Sequence, residues 1–133
     1  MKRALFRRRK KNPELEETSV DLGEITVHIL PGSEQLIVTV GGRVTVDSSP
    51  NLRSVLLDLL RRGTTPRMVI DVSGVSYLDM SGIATLLEVL KAAGECSVKL
   101  LLLAGICGQF RNLAKIVQLD TIFRARGSEV EFR

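Results

Sequence analysis

The feature that most constrains the fold is a switch in hydrophobic period just past the middle of the chain. Arg67-Met68-Val69-Ile70-Asp71-Val72 is a short, nearly continuous apolar run, of the kind buried on both faces in a parallel sheet. After a short junction, Ile83, Leu86, Leu87 and Leu90 recur at helical spacing, and Gly94 closes the stripe. A buried strand that feeds an amphipathic helix belongs in a layered structure, with the helix laid back on the sheet.

The same alternation extends in both directions. Upstream, Ile25-Thr26-Val27-His28-Ile29-Leu30 alternates, Pro31-Gly32-Ser33 turns, and Leu36-Ile37-Val38-Thr39-Val40 forms a β-branched strand stopped by Gly41-Gly42. These predict an antiparallel hairpin. Ser48-Ser49-Pro50 then offers a hydroxyl cap with proline in the first turn, and Leu52, Val55, Leu56, Leu59 and Leu60 keep helical spacing up to Gly63. Downstream, Val98 to Leu103 reads as a strand, Phe110, Leu113, Ile116 and Val117 as the face of a third helix, and Thr121-Ile122-Phe123 as a last strand. The expected class is therefore α/β: a mixed sheet, with an N-terminal hairpin leading into β-α-β-α-β-α-β units, right-handed crossovers and helices packed on the sheet. With 133 residues, 44% of them hydrophobic, the chain can enclose one ordinary core. Residues 1–22 read as a basic arm and charged lead-in broken by Pro13, and residues 23–133 as the domain.

Charge is unevenly placed. Of 19 cations, seven (Lys2, Arg3, Arg7, Arg8, Arg9, Lys10 and Lys11) precede residue 12; the remaining 12 face 15 acids, so the body carries a net charge of −3. The pI of about 9.4 describes the arm and not the domain. A solvated, disordered arm is the plain reading of that segment, and weak contact with an anionic membrane surface, helped by Leu5 and Phe6, is the alternative. No apolar region of secretory-signal length follows the charges, and the longest apolar stretch, Leu100 to Ala104, is far too short to span a bilayer. An acidic body with 4% aromatic residues and no recognised module argues against direct nucleic-acid binding.

Cys96 and Cys107 have ten residues between them and no histidine or further cysteine nearby to complete a metal site, and read as buried free thiols in a reducing cytoplasm. His28 is the only histidine and falls at a half-exposed position of the hairpin. There is no P-loop, no GxGxxG and no nucleophile–base pair in the sequence, so neither catalysis nor a cofactor is expected.

Chemistry concentrates at the junction Val75-Ser76-Tyr77-Leu78-Asp79-Met80-Ser81-Gly82-Ile83. Ser81 falls where a buried strand ends and a helix begins, at the sheet edge where α/β folds place their sites. Its hydroxyl can cap free N–H groups at a helix end that favours negative charge. Asp79 can hold the turn or orient that hydroxyl, and Gly82 lacks a side chain, which lets another molecule come close. A phosphoryl group, with about −1.5 to −2 charges, suits such a position.

The run from Met68 to Ile83, with Leu86 and Leu87 behind it, resembles the motif of STAS domains, the fold of bacterial anti-sigma-factor antagonists. That motif is an apolar strand, a short V-x-Y/F-hydrophobic-D-S-S-G turn and an amphipathic helix. Gly42-Arg43-Val44, Asn51-Leu52, and Leu100 to Ala104 followed by Phe110 to Leu119 extend the resemblance to residues 24–126. It implies an antagonist that binds an anti-sigma factor with serine-protein kinase activity and is phosphorylated by it on the second serine, here Ser81. The first serine is replaced by Met80. Asp79, Met80, Ser81 and Gly82 are the partner-binding residues so implied, with Thr45 and Asp47 beside them: the family's aspartate after "G-x-L" is Thr45 here, and Asp47 lies two places on. The family's closing helix is expected to be shortened or absent, with Gly127 to Phe132 a strand or loose end, which leaves an edge for homodimerisation. The alternative within the same fold is an unphosphorylated adaptor of an ABC lipid transporter or a stressosome-like assembly, with Ser81 mainly a cap.

Overall fold

The computed structural model describes residues 16–63, 65–105 and 109–133; the basic residues 1–11 and Cys107 lie outside them. Three strands come first, β1 (Thr18–Asp21), β2 (Ile25–Leu30) and β3 (Gln35–Val44), and then helix α1 (Ser49–Arg62). The middle holds β4 (Arg67–Asp71), β5 (Val75–Leu78) and helix α2 (Met80–Glu95). The last part is β6 (Lys99–Ala104), helices α3 (Gln109–Ile116) and α4 (Leu119–Ala125), and β7 (Glu129–Phe132). The strands form one seven-stranded sheet in the order β1-β2-β3-β4-β6-β7, with β5 also paired to β3. β1, β2 and β3 are antiparallel, while β3, β4, β6 and β7 run parallel. The mixed α/β sheet read from the periodicities is thus the observed one.

Alternation decides which side of each strand is buried. Ile25, Val27 and Ile29 of β2, Leu36, Val38 and Val40 of β3, Met68 and Ile70 of β4, and Leu100 and Leu102 of β6 share one core with the apolar stripes of the helices. Each Leu-sized side chain so removed from water contributes roughly 1.5–3 kcal/mol. Val69 and Leu103 point to the other face and are also buried, so β4 is covered on both sides, as its unbroken apolar run predicts.

Several expectations are corrected. The sheet begins at Thr18 and not near Gly23: the polar strand β1 is recruited by β2, pairing Val20 with Val27, and its only buried side chain is Val20. Thr121-Ile122-Phe123 is helical, inside α4, and the last strand is β7. Gln118 adopts a left-handed conformation at φ 55°, which splits the final helical segment in two. Burial then passes to Ala114, Leu119 and Phe123, while Ile116 is 75% exposed. Ser48 does not cap α1 with its side chain. Its Oγ instead donates to the Arg43 carbonyl at 2.7 Å and accepts from the Thr45 N–H at 2.8 Å, closing the loop between β3 and α1. Cys96 ends α2 on the surface and is exposed.

One irregularity positions the site. β3 pairs with β4 through Thr39↔Asp71, shifts register between Gly42 and Arg43, and then pairs with β5 through Val44↔Leu78. β5 thereby continues the sheet past the end of β4. The ends of β3 and β5 finish side by side, and the Asp79 N–H donates to the Val44 carbonyl at 3.3 Å.

Candidate functional site

The residues that follow Val44 and Leu78 meet at this edge. Asp79, extended at φ −98° and ψ −168°, is the N-cap of α2, and Met80, Ser81 and Gly82 form the first helical turn. A single oxygen, Asp79 Oδ1, accepts from the Ser81 N–H at 2.9 Å, the Gly82 N–H at 3.4 Å and the Ser81 hydroxyl at 2.5 Å. The expectation that Ser81 is the cap is therefore corrected. The cap is Asp79, whose carboxylate is a better acceptor for orphan helical N–H groups than a hydroxyl, and Ser81 donates to it. The Ser81 hydroxyl bond holds the Asp79 carboxyl below its ordinary range, with the two backbone N–H groups adding to the effect and partial burial opposing it.

This arrangement carries a stability consequence with a definite sign. A carboxyl whose folded-state pKa is depressed stabilises the fold above its unfolded value, near about 3.9, and loses that contribution as pH falls through the folded value. Asp79→Ala should cost about 1 kcal/mol at pH 7. Urea unfolding at pH 7 and below should show the gap to wild type narrowing under about pH 3.9.

Gly82 serves internal packing. It is buried, and a Cβ there would lie 2.6 Å from Leu78 Cγ and 3.0 Å from Val44 Cγ1. Its bare backbone lets α2 sit directly on the ends of β5 and β3. Gly82→Ala should therefore destabilise by roughly 1–3 kcal/mol of overpacking, partly offset by the better helix propensity of alanine, as read by denaturant unfolding.

Across the edge, Thr45 Oγ1 donates to Glu24 Oε1 at 2.7 Å and accepts from the Asp47 N–H at 3.1 Å. Sequence order hides Glu24, which comes from the turn before β2. It brings a carboxylate beside Thr45, and lies 3.9 Å from Arg43, whose guanidinium stacks on Tyr77. Asp47 is exposed and its side chain takes no part in these bonds. Val46, between them, carries no sequence signal for the site; it is 68% exposed, and Met80 is 50% exposed. The structure thus gathers Thr45, Asp47, Asp79, Met80 and Ser81 at one edge, with Gly82 beneath. A nearby open cleft of about 190 Å³ is lined by Val72, Ser73, Val75, Leu78, Gly105, Phe110 and Arg133, and by none of those six residues. The site is a surface.

The structure also pairs His28 with a hydroxyl that the sequence did not connect to it. Ser19 Oγ lies 2.7 Å from His28 Nδ1, and Glu17 Oε2 lies 3.0 Å from Nε2. Ser19 and His28 face each other in the β1–β2 register, with the His28 and Glu17 side chains 42% and 60% exposed. Nothing at this water-screened cross-strand tie withdraws charge from solvent as catalysis requires. Among the described residues, no group of three or more potential ligands could hold a metal, and no helix is long and apolar enough to cross a membrane.

Comparison with known proteins identifies the family to which this sheet and its capped helix belong. The family model described as "Mlab, STAS domain" matches residues 31–125. The chain belongs to the STAS domain family. It is 30% identical over 95 residues to the anti-sigma-B factor antagonist of Staphylococcus aureus, a match covering 71% of this chain and 86% of that protein. In structure it is similar to an anti-sigma factor antagonist from Mycobacterium paratuberculosis, with a TM-score of 0.68 and 20% identity over 80% of this chain and 85% of the other. It is also similar to the Bacillus cell fate determinant SpoIIAA in its phosphorylated form, with a TM-score of 0.59 and 12% identity over 80% and 90% of the two chains. The names of these relatives are those of regulatory proteins and not of enzymes.

Proposed function

We propose that this protein is an anti-sigma-factor antagonist. In this reading the edge formed by Thr45, Asp47, Asp79, Met80 and Ser81 docks on an anti-sigma factor that is also a serine-protein kinase. Gly82 holds that edge in shape. Phosphorylation of Ser81 then weakens the contact by placing charge within it. The observation that carries this reading is the Ser81 hydroxyl, half-buried, oriented by Asp79 and flanked by exposed Met80. The relatives named as anti-sigma antagonists support it, as does the existence of a phosphorylated form of a protein with the same fold. The reading places the protein in the cytoplasm and leaves open contacts of the basic arm with membrane and of the chain with a second copy.

Purification of the intact protein, with mass spectrometry for co-purifying chains and for phosphate, identifies the partner and the modified residue. Against that partner, Ser81→Ala should bind as wild type does and Ser81→Asp at least about tenfold more weakly, a loss of 1.4 kcal/mol or more. Equal binding by the two variants would reject the switch.

A second reading within the family is an unphosphorylated adaptor subunit of an ABC lipid transporter or a stressosome-like assembly. It is favoured by Met80, exposed where a serine is expected, and by a Ser81 hydroxyl already committed to Asp79. No phosphate on Ser81 under any growth condition would select it.

A further inference from the structure

We infer that phosphorylation of Ser81 expels the Asp79 carboxylate from the N-cap of α2, so that the modification exchanges the helix cap as well as charging the partner-facing edge. The inference rests on Ser81 being the modified residue. Asp79 Oδ1 is held by three donors, and all three belong to the residues a phosphate on Ser81 would use: the Ser81 hydroxyl and the N–H groups of Ser81 and Gly82. In the transfer, Ser81 Oγ bonds to the terminal phosphorus of a nucleoside triphosphate and the bond to the nucleoside diphosphate breaks. The hydroxyl proton leaves to the kinase's base, so the closest of the three donors is gone.

What remains is a conflict between two anions. The ester oxygen replaces a donor that stood 2.5 Å from Asp79 Oδ1, so two acceptors now face each other across that distance. A group of about −1.5 to −2 charges is tethered beside a carboxylate already held in its charged form. Both anions need the same two N–H groups and the same positive helix end. The phosphate carries the larger charge and three acceptor oxygens, and it is anchored within the first helical turn. Asp79 sits outside the helix; its backbone N–H and carbonyl stay bonded to the Val44 carbonyl and to the Gly82 and Ile83 N–H groups, and its side chain is the group that can rotate away.

The consequence falls next to the neighbouring loop. The Asp79 N–H donates to the Val44 carbonyl, one residue before Thr45, and Met80 directly follows Asp79. Expulsion therefore strips the side-chain support from the first turn of α2 directly beside the join between the ends of β5 and β3. The unmodified serine, by donating to Asp79, keeps the carboxylate in the cap.

The test needs no kinase. Phosphoserine is introduced at position 81 during synthesis, in the wild-type chain and in Asp79→Asn, since asparagine caps helices as well as aspartate but carries no charge. Two quantities are compared across the four proteins: the melting temperature, and the titration of the Asp79 carboxyl by NMR in the two that retain it. Phosphate should lower the melting temperature of the wild-type chain by roughly 4 °C or more, and by clearly less in Asp79→Asn. The Asp79 carboxyl should titrate higher once Ser81 is phosphorylated. Equal melting shifts in both backgrounds, with an unmoved Asp79 titration, would overturn the inference. Because the phosphate is installed synthetically, failure to find a kinase or phosphate in cells would count against the proposed switch alone.

Discussion

Gly42→Ala is expected to destabilise the protein by on the order of 3 kcal/mol or more, a large part of the 5–15 kcal/mol that holds a typical domain folded. Two independent causes add. Gly42 has φ +95°, a region that L side chains rarely adopt. A Cβ at this position would also lie 2.1 Å from the backbone oxygen of Glu24, which cannot give way as a flexible side chain could. That oxygen is already bonded to the Arg43 N–H at 2.9 Å. Relief requires moving the β1–β2 turn or the register shift that lets β3 pair first with β4 and then with β5. Either movement disturbs the site, since Glu24 reaches Thr45 from that turn and the Val44↔Leu78 pairing places Asp79. Denaturant unfolding should show the loss, and Gly41→Ala is the control, because its Cβ would meet only the Thr26 hydroxyl at 3.2 Å. A Gly42→Ala protein within about 0.5 kcal/mol of wild type would refute this account of the register shift.

Phe123→Ala should cost about 3–5 kcal/mol. Phe123 is fully buried in α4, and its carbonyl accepts the Ser128 N–H at 2.9 Å, which leads the chain into β7. Ser128 is buried in turn, its Oγ accepting the Leu100 N–H at 2.9 Å. Emptying the Phe123 position therefore weakens α4, the turn after it and the pairing of β7 on β6 together. Urea unfolding should show the stability loss, and amide exchange should show protection lost first in Glu129–Phe132. Ile116→Ala, in the helix before it, should change stability by no more than about 0.5 kcal/mol, because Ile116 is exposed. Similar losses for the two would contradict the placement of the C-terminal core.

That contrast shows where periodicity stops being informative. Phe110, Leu113, Ile116 and Val117 keep helical spacing in the sequence, and three of them are half-buried against the core. Nothing in their order reveals that Gln118 turns left-handed, ends the helix and carries Phe123 into a second one. β1 is hidden in the sequence for a related reason. Thr18 to Asp21 has one buried side chain and no apolar alternation, and becomes a strand because β2 offers it an open edge of backbone donors and acceptors. Cys96, at the end of α2, is exposed because the helix reaches Glu95 before the chain turns into β6.

At the site, local sequence was informative about bonds between near neighbours. Asp79 two residues before Ser81 is the spacing at which a carboxylate can hold both the hydroxyl and the first free N–H groups of a helix, and that bond is present. Which of the two was the cap was decided by geometry, since Asp79 alone is extended and outside the helix. The role of Gly82 was also decided there, because the atoms it makes room for, Leu78 Cγ and Val44 Cγ1, belong to two different strands.

By itself the sequence determined the α/β class, the hairpin, the helices α1 and α2, the two-sided burial of β4 and the edge at which Ser81 stands. Each of these follows from side-chain period or from bonds spanning a few residues, interactions already present in the order of the chain. Only the tertiary structure decided that Glu24 would supply a carboxylate beside Thr45, that Val46 and Met80 would flank one edge, and that Gly82 would be a packing residue. Those facts depend on the register shift after Gly42, which joins segments more than thirty residues apart. A register is set by the packing of the whole sheet, and no local stretch of sequence contains it.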